Sequence, residues 1–223
     1  APRRSNVIKE QLAEFGIESF LYDDVISSGE ITWQKMKEKK EINCFLIGPP
    51  RDYHLVEGLN VDITENPDGV DIIINTGPWG DSDKLDNYKP ILQELKKSNP
   101  TMICSNPDKT VVRGNKFMIC AGLLAEYYEK IGGKVEYYGK PFPEIYDFAF
   151  GKLKNPKAKI LVVGDSLDND IKGANVQRID SLLITDGIHR SVNNDNVIDK
   201  EKLNDLIKKK NIKPSYYMRN LIV

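Results

Sequence analysis

Three carboxylates and one lysine are the residues of this chain best suited to chemistry on a charged substrate. Asp165, Asp168 and Asp170 directly follow an apolar run, and Lys140 ends an earlier strand-like run. Hard cations such as Mg²⁺ prefer carboxylate oxygens, and a lysine ammonium binds phosphate oxygens. Phosphoryl transfer needs both kinds of group, because the charge on the moving phosphoryl group must be neutralised.

The elements around these residues predict how they are positioned. Residues 160–163 form an apolar run typical of a parallel strand buried on both faces, and residues 144–153 carry apolar side chains at helical spacing. The order is therefore strand, Lys140, helix, strand, Asp165. A right-handed crossover between neighbouring parallel strands predicts that both side chains lie at one edge of the sheet.

Two roles stay open for Asp165 and two for Asp170. Asp165 could bind Mg²⁺ directly or cap the helix that follows it. Asp170 could bind the metal directly, or hold a metal-bound water and fix the loop. A calcium-binding loop is excluded, because the required glycine and distal glutamate do not fall at their positions. A phosphate-binding P-loop is excluded as well, since Lys140 is followed by proline.

Five segments resemble the motifs of one enzyme family. They occur in the family's order and are 104–108, 122–133, 139–146, 163–171 and 185–190. At these residues the chain resembles the haloacid dehalogenase superfamily of phosphatases, specifically class IIA. Segment 139–146 is similar to the third family motif, and segment 163–171 is similar to the fourth.

This resemblance implies an α/β fold, with a doubly wound parallel-sheet core and an inserted α/β cap domain. The core would comprise residues 1–40 and 137–223, and the cap residues 41–136.

The resemblance also implies roles for individual residues of a Mg²⁺-dependent phosphatase. Lys140 would be catalytic, neutralising charge at the phosphoryl group. Asp165 and Asp170 would serve the metal, and Asn106 and Asp108 of the cap would bind the substrate, a small phosphate monoester. Asn106 and Asp108 could instead form only an Asn-Pro-Asp turn.

The family's nucleophile is not among these residues. Such phosphatases carry an Asp-x-Asp motif on their first strand, whereas residues 1–6 look like the segment just after the second motif. We therefore expect that about 30 residues, one strand-helix-strand unit, are missing and that this chain alone is inactive. The alternative is a non-catalytic pseudo-phosphatase or binding module. Asn66-Pro67-Asp68 imitates the nucleophile motif, but its composition predicts a turn.

Composition narrows the class of partner. The net charge is −1, which gives no electrostatic case for binding nucleic acid or a membrane. A homodimer is left open. Three widely spaced cysteines, Cys44, Cys104 and Cys120, predict reduced core thiols and a cytoplasmic location.

Periodicity and capping residues predict the remaining elements. Ser27 and Glu30 form a capping pattern for a helix that ends near residue 38. Further predicted helices are 4–15, 83–98, 117–131 and 199–210. Further predicted strands are 24–26, 43–47, 70–75, 100–104 and 181–184.

Overall fold

The computed structural model describes residues 1–113, 116–155, 157–195 and 197–221. They form two compact units, Ala1–Gly139 and Lys140–Val223. This division lies close to the predicted domain boundary at 136/137, and it groups residues 1–40 with the first unit. The assignment of the two units to core and cap stays a prediction.

The first unit alternates strands and helices. Its helices are α1 Ser5–Glu14, α2 Ser28–Lys37, α3 Leu85–Ser98 and α4 Ala121–Lys130. Its strands are β1 Ile42–Ile47, β2 Val61–Ile63, β3 Ile72–Asn75, β4 Thr101–Cys104, β5 Thr110–Arg113, β6 Lys116–Ile119 and β7 Val135–Tyr137. Five of these strands form a parallel sheet in the order β2-β1-β3-β4-β7, and β5 and β6 form an antiparallel hairpin.

The core of the first unit lies between this sheet and helices α3 and α4. All four residues of β3 are buried, which explains its uninterrupted apolar sequence. In α3, Tyr88, Leu92 and Leu95 recur at helical spacing, and each is 0% exposed. The buried side chains of the sheet and both helices form one continuous cluster.

The second unit has a smaller sheet. Its helices are α5 Pro143–Gly151, α6 Lys172–Gln177 and α7 Lys200–Lys210. Its strands are β8 Leu161–Gly164, β9 Asp180–Ile184, β10 Asn193–Asn194, β11 Val197–Ile198 and β12 Tyr216–Met218. Three strands are parallel in the order β12-β9-β8, so β8 is an edge strand within the described residues. Two parallel sheets flanked by helices confirm the predicted α/β class.

Most predicted helices and strands are confirmed. The residues that cap the helices account for where those helices begin and end. Ser27 Oγ accepts a hydrogen bond from the Glu30 amide at 3.0 Å, so the predicted start of α2 is right. A serine cap of this kind contributes about 1 kcal/mol to helix stability. Helix α4 ends at Lys130, within one residue of the predicted end at 131, and Gly132 follows it at φ +89°.

Two predicted elements are wrong. Residues 24–26 are not a strand, because Val25 makes its hydrogen bonds with the side chains of Ser5 and Asp24 instead of with a strand. The predicted helix 117–131 is a strand up to Ile119, and the helix begins only at Ala121. Pairing with β5 overrides the helical spacing there.

The predicted crossover is also wrong. Strand β7, which precedes Lys140, pairs with β4, whereas β8, which precedes Asp165, pairs with β9. The two strands are therefore not neighbours in one sheet. None of the helices in the described part of the chain is long and apolar enough to cross a membrane.

Candidate functional site

Lys140 and Asp170 form an ion pair in the second unit. Lys140 Nζ donates to Asp170 Oδ1 at 2.5 Å, and the Ser166 amide donates to Asp170 Oδ2 at 3.1 Å. The Asp170 side chain is 7% exposed and that of Lys140 is 49% exposed. Each carboxylate oxygen of this buried acid thus has a donor, which offsets the cost of removing its charge from water.

The loop after β8 folds back so that the Asp170 carboxylate packs against Gly164, the last residue of β8. Ser166 Oγ accepts from the Asn169 amide at 3.2 Å and begins a single π-helical turn, Leu167–Ile171. A Cβ added at Gly164 would overlap Asp170 Cγ. The glycine at the end of β8 is therefore required for the close approach of the carboxylate.

Asp165 occupies the first position after β8 and is half-buried. Its Oδ2 accepts from the Ile188 amide at 3.1 Å. A Cβ added at Gly187 would overlap the same oxygen, so the loop after β9 also needs its glycine. Asp168 is directed elsewhere, since its Oδ2 accepts from Lys210 Nζ on α7 at 2.5 Å.

These acids fit a magnesium ion only in part. Mg²⁺ is usually held by one or two carboxylates, with waters and phosphate oxygens completing its octahedron. Asp165 meets that requirement, because a single hydrogen bond to Ile188 engages one of its oxygens. Both oxygens of Asp170 already accept hydrogen bonds. Among the described residues, no group of three or more His, Cys, Asp or Glu side chains is placed to hold a metal.

The sequence did not single out two further residues near these acids. Tyr146 is 7% exposed, and burial together with the charge of Asp170 raises the pKa of its hydroxyl to about 12. That hydroxyl has no hydrogen-bond partner within the described part of the chain. His189 Nε2 accepts from the Leu167 amide at 3.2 Å, and burial lowers the pKa of its imidazole.

Asn106 and Asp108 lie in the first unit, in the loop after β4. The Asn106 carbonyl accepts from Cys104 Sγ at 3.5 Å, and the Asp108 carbonyl accepts from the Gly122 amide at 2.9 Å. The loop is thereby fixed to the first turn of α4. The structure does not bring these two residues into one unit with Lys140, Asp165 and Asp170, and their role in substrate binding stays a prediction.

Two alternative kinds of nucleophile, an aspartate and the cysteines, were considered in the sequence. Asp68 lies in an exposed turn, where its amide donates to Asn66 Oδ1 at 3.0 Å, which confirms the turn prediction. The three cysteines are free and buried, as predicted. Burial raises the pKa of Cys44 and Cys104 to about 12, so neither thiol ionises readily at neutral pH.

Comparison with known proteins gives two family matches, which together span residues 79–222. The family described as haloacid dehalogenase-like hydrolase matches residues 79–176, and the one described as HAD-hydrolase-like matches residues 137–222. Together these matches include Lys140, Asp165 and Asp170.

Two curated proteins are similar in sequence. Ribonucleotide monophosphatase NagD of Escherichia coli K12 is 32% identical over 87 residues, which are 39% of this chain and 34% of NagD. The acid sugar phosphatase of Staphylococcus haemolyticus is 26% identical over 187 residues, or 81% of this chain and 68% of that protein. The match to NagD thus spans about a third of that relative's length.

A solved structure shares the fold. The haloacid dehalogenase-like hydrolase of Brucella suis 1330 superposes with a TM-score of 0.81 at 29% identity, covering 99% of this chain and 80% of that one. Across residues 79–222 and in overall fold, the chain is thus similar to the haloacid dehalogenase-like hydrolases.

Proposed function

We propose that this protein is a class IIA haloacid dehalogenase-type phosphatase that uses Mg²⁺ to hydrolyse a small phosphate monoester. The observation that carries the proposal is the 2.5 Å ion pair between Lys140 and Asp170, on the loop that Asp165 begins. It supports phosphoryl chemistry because a fixed cation and an available carboxylate then lie at the end of one parallel strand. The named activities of NagD and of the acid sugar phosphatase agree with it.

Each residue has a distinct role in this proposal. Asp165 would bind Mg²⁺, which supplies positive charge at the phosphoryl oxygens. Lys140, half exposed, would extend its ammonium to the phosphoryl group and neutralise the charge that develops there. Asp170 would orient that ammonium and fix the loop, because its oxygens are engaged by Lys140 and Ser166.

The attacking carboxylate would come from residues outside this 223-residue chain. It would form an aspartyl-phosphate that water then hydrolyses. Two observations support this part of the proposal. The chain covers 80% of the Brucella suis hydrolase, and β8 is an edge strand within the described residues, where another parallel strand could pair.

One observation favours a second candidate, a binding module without catalysis. Within the described ranges no third acidic, histidine or cysteine side chain joins Asp165 and Asp170 in a metal-holding group. A module of this kind would bind a phosphorylated ligand through Lys140 and would not turn it over.

Hydrolysis of p-nitrophenyl phosphate during a Mg²⁺ titration tests these alternatives. In a chain extended to the full length of its natural protein, Asp165→Asn should raise the Mg²⁺ midpoint about 10- to 100-fold, since a metal ligand is lost. Lys140→Met should lower kcat about 100-fold or more at saturating Mg²⁺. Asp168→Asn is the matched control and should stay near wild type, because Asp168 pairs with Lys210.

Two results would reject the phosphatase proposal. One is an equal Mg²⁺ midpoint for wild type and Asp165→Asn. The other is absence of turnover by the extended chain, which would favour the binding module. The 223-residue chain alone should show no turnover, because the proposed nucleophile is not part of it.

A further inference from the structure

The hydroxyl of Tyr146 is a buried group that the proposed function does not use. Tyr146 lies on α5, in the second unit, and is 7% exposed. Its hydroxyl oxygen is shielded from solvent and has no hydrogen-bond partner in the part of the chain that the structure describes. A buried hydroxyl without a partner is costly, because it has given up its hydrogen bonds to water. The cost would be offset in a state of the protein that provides a partner.

This hydroxyl lies over the first turn of α6, near Asp170. A Cβ added at Gly173 would overlap the Tyr146 oxygen, so the glycine allows the ring to approach the helix backbone. Gly173 follows Asp170 by three positions in the sequence, which is less than one helical turn. Burial and the charge of Asp170 raise the pKa of Tyr146 to about 12. The hydroxyl therefore keeps its proton at neutral pH and remains a hydrogen-bond donor close to the carboxylate.

The two donors of Asp170 differ in their freedom to move. The Ser166 amide belongs to the loop backbone, whereas Lys140 donates from a long side chain that is 49% exposed. Its ammonium can turn toward solvent or toward a bound anion, but the carboxylate, 7% exposed, cannot follow it. Within the described ranges, Asp170 Oδ1 accepts from Lys140 alone. Departure of the ammonium would thus leave a buried carboxylate oxygen without a donor, which is a costly state.

We propose that Tyr146 is a positioning residue whose hydroxyl donates to Asp170 Oδ1 when the Lys140 ammonium turns away. A rotation of the carboxylate, or one bridging water, closes the remaining distance. This exchange of donors lowers the free-energy cost of releasing Lys140 from Asp170. Use of the released ammonium at a phosphoryl oxygen rests on the function proposed above, whereas the exchange of donors itself does not.

A double-mutant cycle on the 223-residue chain, followed by urea unfolding, tests the exchange of donors. With Lys140 present, Tyr146→Phe removes only an unpaired hydroxyl and should change the unfolding equilibrium constant less than about threefold. With Lys140→Met, the same substitution leaves Asp170 Oδ1 without a donor and should raise that constant about tenfold or more. The matched control is Tyr216→Phe, at a residue of the second unit that is 58% exposed, and its effect should be equal in both backgrounds.

Three results of this cycle would overturn the inference. The first is an equal effect of Tyr146→Phe in both backgrounds, whether large or small, because the hydroxyl would then act independently of Lys140. The second is failure of Tyr146→Phe alone to fold, which would mean that the hydroxyl is needed while Lys140 is in place. The third is failure of Lys140→Met to fold, because the second donor would then not have compensated Asp170. A double variant that alone fails to fold counts as the large expected effect.

Turnover of p-nitrophenyl phosphate by the extended chain tests the consequence for Lys140. Tyr146→Phe should lower kcat about fivefold and change KM less than about twofold, because the hydroxyl donates only after Lys140 has moved to the bound substrate. Tyr216→Phe should leave both constants unchanged. A change confined to KM, or no change at all, would reject the release of Lys140 to the phosphoryl group.

The two measurements separate the inference from the proposed phosphatase activity, because unfolding needs neither the nucleophile nor Mg²⁺. Coupling between Tyr146 and Lys140 in unfolding, without turnover by the extended chain, would uphold the exchange of donors and reject the phosphatase. Turnover by the extended chain without that coupling would uphold the phosphatase and reject the exchange of donors.

Discussion

A buried carboxylate lies beyond each of the two parallel sheets of this protein, and the two carboxylates differ in their hydrogen-bond partners. Beyond the three-stranded sheet, Asp170 is held by Lys140 and by the Ser166 amide. Beyond the five-stranded sheet, Asp52 is equally buried but has no partner for its carboxylate within the described ranges. The fully paired Asp170 is fixed in position by its donors, whereas no donor fixes the carboxylate of Asp52 in the part of the chain that the structure describes. The two sheets thus differ in how they compensate a buried charge.

The sheets also differ in how their strands are covered. Ile73 and Ile74 of β3 are 0% exposed, whereas Leu161 and Val163 of β8 are 47% and 43% exposed. Both strands read as apolar runs in the sequence. An apolar run thus predicts a strand reliably without establishing what covers its faces.

Truncation of one apolar side chain in each sheet should give the largest difference between them. Ile73→Ala should cost about 2 to 5 kcal/mol, because it leaves a cavity in a closed core. Val163→Ala, at a side chain 43% exposed, should cost less than about 1 kcal/mol. Urea unfolding of the 223-residue chain measures both by circular dichroism. An equally large loss for Val163→Ala would mean that the exposed face of β8 is covered in solution.

The sequence predicted the strands and helices well where patterns were long and capped. The helix α3 and the strand β4 are found within two residues of their predicted limits. It failed at 24–26, where three apolar and acidic residues imitate a strand but bond to side chains. Short segments depend on partners elsewhere in the fold, and their own residues do not reveal those partners.

A side chain added at Gly164 should cause the next largest loss of folding stability. The new Cβ would overlap Asp170 Cγ, so Gly164→Ala must displace the carboxylate or the loop. We expect a loss of about 1 to 3 kcal/mol, as for other overpacked sites. Gly151→Ala is the matched control, because no atom lies within 4 Å of its Cβ position. Equal urea midpoints for the two variants would contradict the close approach of Asp170 to β8.

For the candidate site, sequence spacing identified the ionic residues that directly follow predicted strands and missed Tyr146 and His189. Lys140, Asp165 and Asp170 stand out because charge after an apolar strand is conspicuous. Tyr146 lies in the segment that resembles the third family motif, but no role was predicted for it, and only the fold brings it near the charge of Asp170. Asp52 gave no signal at all, because nothing in its neighbours in sequence predicts that it is buried.

Lowering the pH should change the free energy of unfolding less than either substitution above. It should destabilise the second unit at a higher pH than the first. Burial and the charge of Lys210 lower the pKa of His189 from its ordinary 6.5, against the opposing charges of Asp168 and Asp165. The unfolded chain then binds more protons below pH 6.5, so stability falls as pH drops through that value. Protonation would also break the hydrogen bond that Nε2 accepts from Leu167.

In the first unit, burial raises the pKa of Glu30, but hydrogen bonds from Arg4, Gln34 and Ser5 outweigh it and lower the pKa below its ordinary 4.5. The stability that Glu30 contributes is therefore lost only below pH 4.5.

Unfolding is measured at pH 7.5 and pH 5.5, values that flank the ordinary His pKa of about 6.5. This interval includes the pH range in which His189 lowers stability and lies above the range in which Glu30 does. The free energy of unfolding followed by circular dichroism should be lower at pH 5.5 by less than about 1 kcal/mol, because the charges of Asp168 and Asp165 oppose the effect of burial on His189. Fluorescence of Trp33 and Trp79 reports the first unit and should change less. His189→Gln should abolish the dependence on pH, and His54→Gln should retain it. If His54→Gln abolishes it instead, the pH-sensitive group lies in the first unit, and the contrast between the two units in acid is wrong.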